Sequence, residues 1–368
     1  MAGKVPTVYD VAERAGVSIA TVSRYFRNPE AVRETTRDRV RAVVRDLGYV
    51  PSGSARGLAA RRTGTIGVCF PSFDDVDHID PVDLGEGLPV TVRFDPSEHI
   101  DTGSNLYISE VIRGTELEAW RHGLAVMIAV PRGRRRHEVI DNLAGRVDGL
   151  VTLARAVPDD QLAHIARRLP VVLMAGPRES DTYDHVSADN RGGTIALTRH
   201  LIHDHHLRGL QFVAGPMNSP DSQDRFEGFS EALLLAGLDV PEHPLAHGDF
   251  TRTGGRALAR RLLEREQLTG VGALVCANDQ TALGLLDALT EAGVRVPEDI
   301  ALTGFDGIEA AHLASPRLTT VRQPMIDLGR VAVAQLLHRL AHPATAPVSR
   351  VLPVEVLLRE SCGPHPST

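Results

Sequence analysis

Residues 7–26 read TVYDVAERAGVSIATVSRYF. Thr7-Val8-Tyr9-Asp10 has capping-box form, in which the Thr hydroxyl and the acidic side chain satisfy each other's backbone amides at a helix start. Val8, Val11, Ala12 and Ala15 then recur at i, i+3, i+4 and i+7, the spacing of one helix face. Gly16 closes the run with a residue free to take positive φ. Ser18 is placed to cap a second helix after a very short turn, with Val22, Tyr25 and Phe26 facing inward. A third helical pattern starts near Thr35 or Thr36, where Thr35-x-x-Asp38 again has capping-box form. Its stripe is Val40, Val43, Val44 and Leu47, and Gly48 stops it. Two helices joined by so tight a turn, braced by a third, predict an all-α helix-turn-helix domain over 5–50. That geometry presents the start of the second helix to a DNA major groove.

The charge distribution points the same way. Residues 1–62 hold twelve Lys/Arg against six Asp/Glu, whereas the whole chain of 368 residues carries a net charge of −7. A small basic head on a large acidic body suits a phosphate-binding module joined to something that avoids DNA, although a solvated basic face has the same composition.

The stretch at 7–26 closely resembles the LacI family of bacterial regulators, and the resemblance continues through TRDRV (36–40) and LGYVP (47–51). It implies that Ile19 and Ala20, at the exposed start of the second helix, meet base edges. Both are apolar, so they suit thymine methyls and form no bidentate hydrogen bond. Arg24, one turn further along, is the residue to read a guanine. Thr7, Tyr9, Ser18, Thr21, Ser23 and Tyr49 match family positions that mostly touch phosphates and set register, with capping or packing roles still open for them. Val22 and Val40 are core only. Two departures stand out: Arg27 precedes Asn28 where the family has Asn directly after the second helix, and Arg33 replaces the Ser that caps the third. The phosphate contacts of that loop are therefore not carried over.

Residues 51–63 follow as a hinge, with SGSARGLAARR at 52–62. By composition this is a flexible basic linker, since Gly53 and Gly57 each cost a helix roughly 1 kcal/mol relative to Ala. The resemblance implies a short helix formed where two copies meet in the minor groove, with Leu58 as the wedge, Ala55 as the small contact residue and Ser52 at the usual Asn position.

From 64 to 360 short apolar runs alternate with helical periods. Strands are expected at 66–70, 125–130, 149–153, 171–174, 211–214, 273–276 and 300–305, and helices near 106–122, 190–206, 225–236, 253–266 and 279–292. This alternation predicts parallel sheets with helices on both faces, and the length suits two lobes around a cleft at the strands' carboxyl ends. ADNRGG (188–193), DRFEGF (224–229), CANDQTALG (276–284), VPEDIALTGFDG (296–307) and LTTVRQP (318–324) resemble the family's regulatory domain. The expected fold is thus the helix-turn-helix domain followed by an α/β two-lobed, periplasmic-binding-protein-like domain. By the same resemblance Arg225 clamps the effector, Asp279 accepts hydrogen bonds from its hydroxyls or else caps a helix, and Phe250 stacks on its face or else packs in the core. Tyr107, in SNLY (104–107), joins them. An acidic insertion at about 74–103 separates the first strand from SNLY, and is expected to form a lid, an added wall or a solvated excursion. Residues 361–368 are expected to be a tail.

The implied function is a transcriptional regulator, a repressor, that binds a pseudo-palindromic double-stranded operator as a homodimer. Its affinity is set by a small effector, a sugar or alternatively a nucleoside or purine. Residues 1–16 show no signal-peptide core and no run is long enough to span a bilayer, so a cytoplasmic, membrane-free protein is expected. Cys69, Cys276 and Cys362 lie far apart with no metal-ligand spacing. The histidines at 200, 203, 205 and 206 fall at a helix end where the family also has one, and RGRRR (132–136) reads as a solvated turn. No catalytic residues, cofactor or metal are expected. An uptake binding protein or a sugar- or nucleotide-converting enzyme would share the α/β body, but neither needs the helix-turn-helix.

Overall fold

The computed structural model describes residues 6–50, 62–72, 106–175 and 182–364. The chain divides into two compact units, Met1–Gly64 and Thr65–Thr368. Ser52, Ala55 and Leu58, the whole acidic insertion at about 74–103, and residues 365–368 lie outside the described residues.

The first unit holds α1 (Val8–Ala15), α2 (Ile19–Arg27) and α3 (Glu34–Leu47). Thr7 closes the capping box on α1: its Oγ1 accepts from Asp10 N at 3.4 Å, and Asp10 Oδ2 accepts from Thr7 N at 2.7 Å. Gly16 takes φ 61°, which lets the chain turn at once into α2, where Ser18 Oγ accepts from Thr21 N at 3.2 Å. Val11, Ala12, Ala15, Val22, Val40 and Val43 form the buried core, with Phe26 and Tyr49 packed on it. The start of α3 differs from expectation. The helix begins at Glu34, capped by Arg33 with no side-chain bond. The amides of Thr36 and Arg37 both donate to Arg33 O at 2.9 Å, so the backbone ladder is already running where Thr35 was to cap it.

The second unit contains two six-stranded sheets. The first has the order β11-β5-β4-β3-β1-β2 and is parallel throughout. Its strands are β1 (Thr65–Cys69), β2 (Ala125–Ala129), β3 (Leu150–Leu153), β4 (Val171–Met174), β5 (Asp184–Ala188) and β11 (Ser349–Leu352). The second, in the order β12-β10-β9-β8-β6-β7, is parallel except for β12. It comprises β6 (Leu210–Ala214), β7 (Ala246–His247), β8 (Ala273–Cys276), β9 (Ala301–Asp306), β10 (Thr319–Arg322) and β12 (Glu355–Leu357). Nine helices are described: α4 (Leu106–Arg121), α5 (Arg136–Ala144), α6 (Asp159–Ala166), α7 (Asn190–His203), α8 (Pro220–Leu235), α9 (Arg252–Glu264), α10 (Asp279–Glu291), α11 (Glu309–Leu313) and α12 (Met325–Ala341).

Chain order and sheet order together make two lobes crossed three times, after β5, after β10 and between β11 and β12. All seven expected strands are present within a residue or two; β5, β7, β10, β11 and β12 are additional. Ile66, Val68, Val151, Val172 and Val186 bury one face of the first sheet against α4 and α12. These two helices cross at glycines: a Cβ on Gly114 would run into Ile326 O, and one on Gly329 into Val111 O. The expected tail begins late. Ser361 and Cys362 are buried, with Ser361 Oγ donating to Leu302 O at 2.5 Å and accepting from Thr319 N at 2.9 Å.

Candidate functional site: a helix start and an interlobe cleft

In the first unit, packing of Val22 inward turns the opposite side of α2 to solvent. Ser18, Ile19, Ala20 and Arg24 are exposed, as are Thr7 and Tyr9, while Thr21, Ser23 and Tyr49 are half-buried. Thr7 and Ser18 are engaged as caps, and Tyr49 lies with its ring centroid 5.9 Å from that of Phe26. The exposed side of α2 thus offers the apolar Ile19 and Ala20 and, one turn on, the Arg24 guanidinium.

In the second unit, a cavity of about 640 Å³ opens at the carboxyl ends of the strands of both sheets. Tyr107, Arg225 and Phe250 line it. Arg225, on α8, is buried and held through Nε and Nη1. Its Nε donates to Asn190 Oδ1 at 2.8 Å and its Nη1 to Ala277 O at 2.5 Å, and Cζ sits 3.8 Å from the Phe305 ring centroid. Asp306 Oδ1 lies 3.7 Å from the same Nη1 and accepts from Gln323 Nε2 at 2.6 Å. Asn190 Nδ2 donates in turn to Asp221 Oδ1 at 3.0 Å. Burial pushes the Asp306 carboxyl up to about 7, against the pull of Arg225. Burial likewise raises Asp221, and it raises the Tyr107 phenol with the help of Asp221 and Asp306.

Asp279 does not reach the cavity. It is fully buried, and its carboxylate accepts from Thr320 Oγ1 at 2.5 Å, Gly307 N at 2.8 Å and Ile308 N at 2.9 Å. The cap of α10 is Asn278, not Asp279. Three donors converge on the carboxylate, so in this structure Asp279 ties α10, β10 and the β9–α11 turn together. Burial still raises it to about 6. The carboxylate that lines the cleft beside Arg225 Nη1 is Asp306, in the GFDG run, and Gln323 and Asn190 are the amides that hold the network. Sequence reasoning missed all three, although each stands in a motif it had singled out.

RGRRR is an exposed turn over 132–135, as expected, but part of it also faces the cavity. Arg132, Gly133 and Arg136 line the cavity together with Arg155. Arg136 Nη2 donates to the carbonyls of Arg155 and Ala156 at 2.7 and 3.1 Å, and Arg132 Nε donates to Ser72 Oγ at 3.1 Å. The described part of the first-lobe wall is therefore basic, with three arginines and no carboxylate, while the second-lobe wall carries Asp221, Asp249 and Asp306 beside Arg225. Arg155, Ala175, Phe250 and Asp306, all lining residues, have positive φ without being glycine. Such strain gathers at sites where backbone position matters more than local stability.

Among the described residues no helix is long and apolar enough to cross a membrane. Residues 7–52 match the family described as bacterial regulatory proteins, lacI family, and 198–362 match the periplasmic binding protein-like domain. The HTH-type transcriptional regulator CelR of Thermobifida fusca is 32% identical over 362 residues, covering 97% of this chain and 98% of the relative. A CelR–cellobiose complex superposes with a TM-score of 0.68 at 30% identity, over 97% of this chain and 99% of that one. The lac repressor dimer bound to operator and the anti-inducer ONPF gives 0.78 at 26% identity, over 98% and 100%. With both units matched and the likeness running almost end to end, the chain belongs to the LacI family of bacterial transcription regulators.

Proposed function

We propose that this regulator is a repressor that binds a pseudo-palindromic operator as a homodimer and is switched by a small sugar-like effector in the interlobe cleft. The exposed start of α2, with Ile19, Ala20 and Arg24 outward, carries the DNA half of this reading. Two copies of such a helix on a two-fold axis would meet two half-sites one turn apart, as the dimeric lac repressor on its operator suggests. Arg24 reads a guanine, and Thr7, Tyr9, Ser18, Thr21, Ser23 and Tyr49 set register on phosphates. The sugar reading is supported by the cellobiose-bound relative and by the donor-rich network of Arg225, Asn190 and Gln323. Phe250 offers a ring for a sugar face, and Tyr107 a hydroxyl. Arg132, Arg136 and Arg155 favour an effector with a phosphate or carboxylate on its first-lobe side. The chain binds its effector without turning it over and acts in the cytoplasm, where the operator is. The Phe250 ring would equally accept a nucleoside base, which keeps that class as the second reading.

Thermal denaturation of the full chain with hexoses, pentoses, their phosphates, uronates and nucleosides tests this. A sugar at about 100 times its Kd adds roughly 2.7 kcal/mol, enough to move Tm by several degrees. Acidic sugars are expected to act at lower concentration than their neutral parents. A response to nucleosides alone would replace the sugar reading.

A further inference from the structure

We propose that His200, His205 and Cys362 form a binding site for a divalent transition-metal ion of the zinc class, in the second lobe and outside the effector cleft. More than 150 residues separate the cysteine from the histidines, but the fold joins them. The last turn of α7 carries His200, and His205 follows it. The turn Glu360–Cys362, buried at Ser361 and Cys362, is fastened beside them by the Ser361 hydrogen bonds to Leu302 and Thr319. The ligand atoms of the three side chains all lie within 4.8 Å of one another.

The surroundings are those of a metal site. His200 Nε2 and His205 Nε2 are 3.0 Å apart, with the rings edge-on at 87°. His200 Nδ1 lies 2.6 Å from Asp204 Oδ2. That carboxylate accepts a hydrogen bond from the Nδ1–H tautomer and leaves Nε2 as a lone pair, the outer contact that metal-bound histidines commonly make. Gly363, at φ 121°, stands where a Cβ would press on His205 Nδ1 at 2.9 Å, so the residue after the cysteine leaves room for the imidazole. Zinc bonds of about 2.0–2.1 Å to nitrogen and 2.3 Å to sulfur put tetrahedral ligand atoms roughly 3.3–3.8 Å apart. The cluster reaches that spacing by shifts of about 1 Å or less. Water completes the fourth position, and the half-buried histidines give the ion access.

The protons balance without a further reagent. His200 keeps its proton toward Asp204, and His205 moves its proton from Nε2 to Nδ1. The Cys362 thiol releases one proton to solvent as the sulfur–metal bond forms. The ion then clips the C-terminal segment to the end of α7. A nitrogen–nitrogen–sulfur donor set favours zinc, cobalt, nickel or copper over magnesium or calcium.

Cobalt(II), added to the untagged full-length protein under reducing conditions, is the probe. One equivalent is expected to bind with a thiolate-to-cobalt charge-transfer band in the near ultraviolet and visible bands of tetrahedral intensity, both abolished by zinc. Cys362→Ser removes the charge-transfer band, whereas Cys69→Ser retains it. His205→Ala, at a half-buried position, weakens binding at least tenfold, and Asp204→Asn weakens it about 10- to 100-fold. The proposal is overturned if wild-type protein shows no thiolate band at one equivalent, or if Cys362→Ser or His205→Ala binds cobalt with unchanged spectrum and affinity.

Discussion

Arg225 and Asp306 approach to 3.7 Å inside the cleft wall, and each is held by other partners as well: Arg225 by Asn190, Ala277 and Phe305, Asp306 by Gln323. A guanidinium so fixed can present its edge to a ligand without rearranging, and a lysine cannot reproduce the fork. Arg225→Lys is therefore expected to weaken effector binding at least tenfold by titration calorimetry. Arg225→Ala should in addition destabilise the chain by about 1–3 kcal/mol, because it leaves Asn190 Oδ1 and Ala277 O without their buried donor. Effector binding unchanged in Arg225→Lys would remove Arg225 from the site.

The Asp306 carboxyl is raised from 3.8 to about 7 by burial, so folding favours its protonated form. A raised carboxyl stabilises fully below its unfolded value, and that contribution is lost as pH climbs through about 7. Asp306→Asn keeps the neutral shape and the acceptor for Gln323. Between about pH 6 and pH 8 the wild type is expected to lose about 1 kcal/mol of stability relative to this variant. Denaturant melts of both proteins at the two pH values check the sign.

The crossing of α4 and α12 depends on Gly114 and Gly329. Gly114→Ala should raise helix propensity and still destabilise, by about 2 kcal/mol or more, since the clash is with backbone that cannot swing aside. A gain in Tm would contradict the close approach.

Arg24 is exposed on α2, five residues past Ile19. Arg24→Ala is expected to relax base preference at one operator position by about 1–3 kcal/mol while leaving the others intact. A uniform loss over all sequences, with a smaller salt slope, would make it a phosphate contact.

Much of this was legible from residue patterns. The capping box at Thr7, the serine cap at Ser18 and Gly16 are local signals, and their geometry is local too. The central strands read clearly because both faces are buried and the runs are continuous, as in Leu150–Leu153. The edge strands β11 and β12 did not, since β11 is mostly exposed and β12 is only three residues long. Arg33 began α3 early because the backbone ladder needs no side-chain cap to start. Asp279 misled for a different reason. An acid at a helix start after a strand suits a ligand or a cap equally, and only the fold shows Thr320, Gly307 and Ile308 converging on it. The run 132–136 is the exposed turn it looks like, and only the fold shows that Arg132 and Arg136 also line the cavity. The proximity of Cys362 to His205 belongs wholly to tertiary structure, with nothing in the spacing to betray it.

The most direct test is fluorescence anisotropy on a labelled duplex that the full chain selects from a random pool. It is titrated with and without the ligand that most raises the chain's Tm. An inverted-repeat duplex is expected to bind at about 10⁻⁸–10⁻¹¹ M, with affinity shifted at least tenfold by the ligand. Equal affinity for a scrambled duplex, or no shift with any ligand that stabilises the protein, would contradict it.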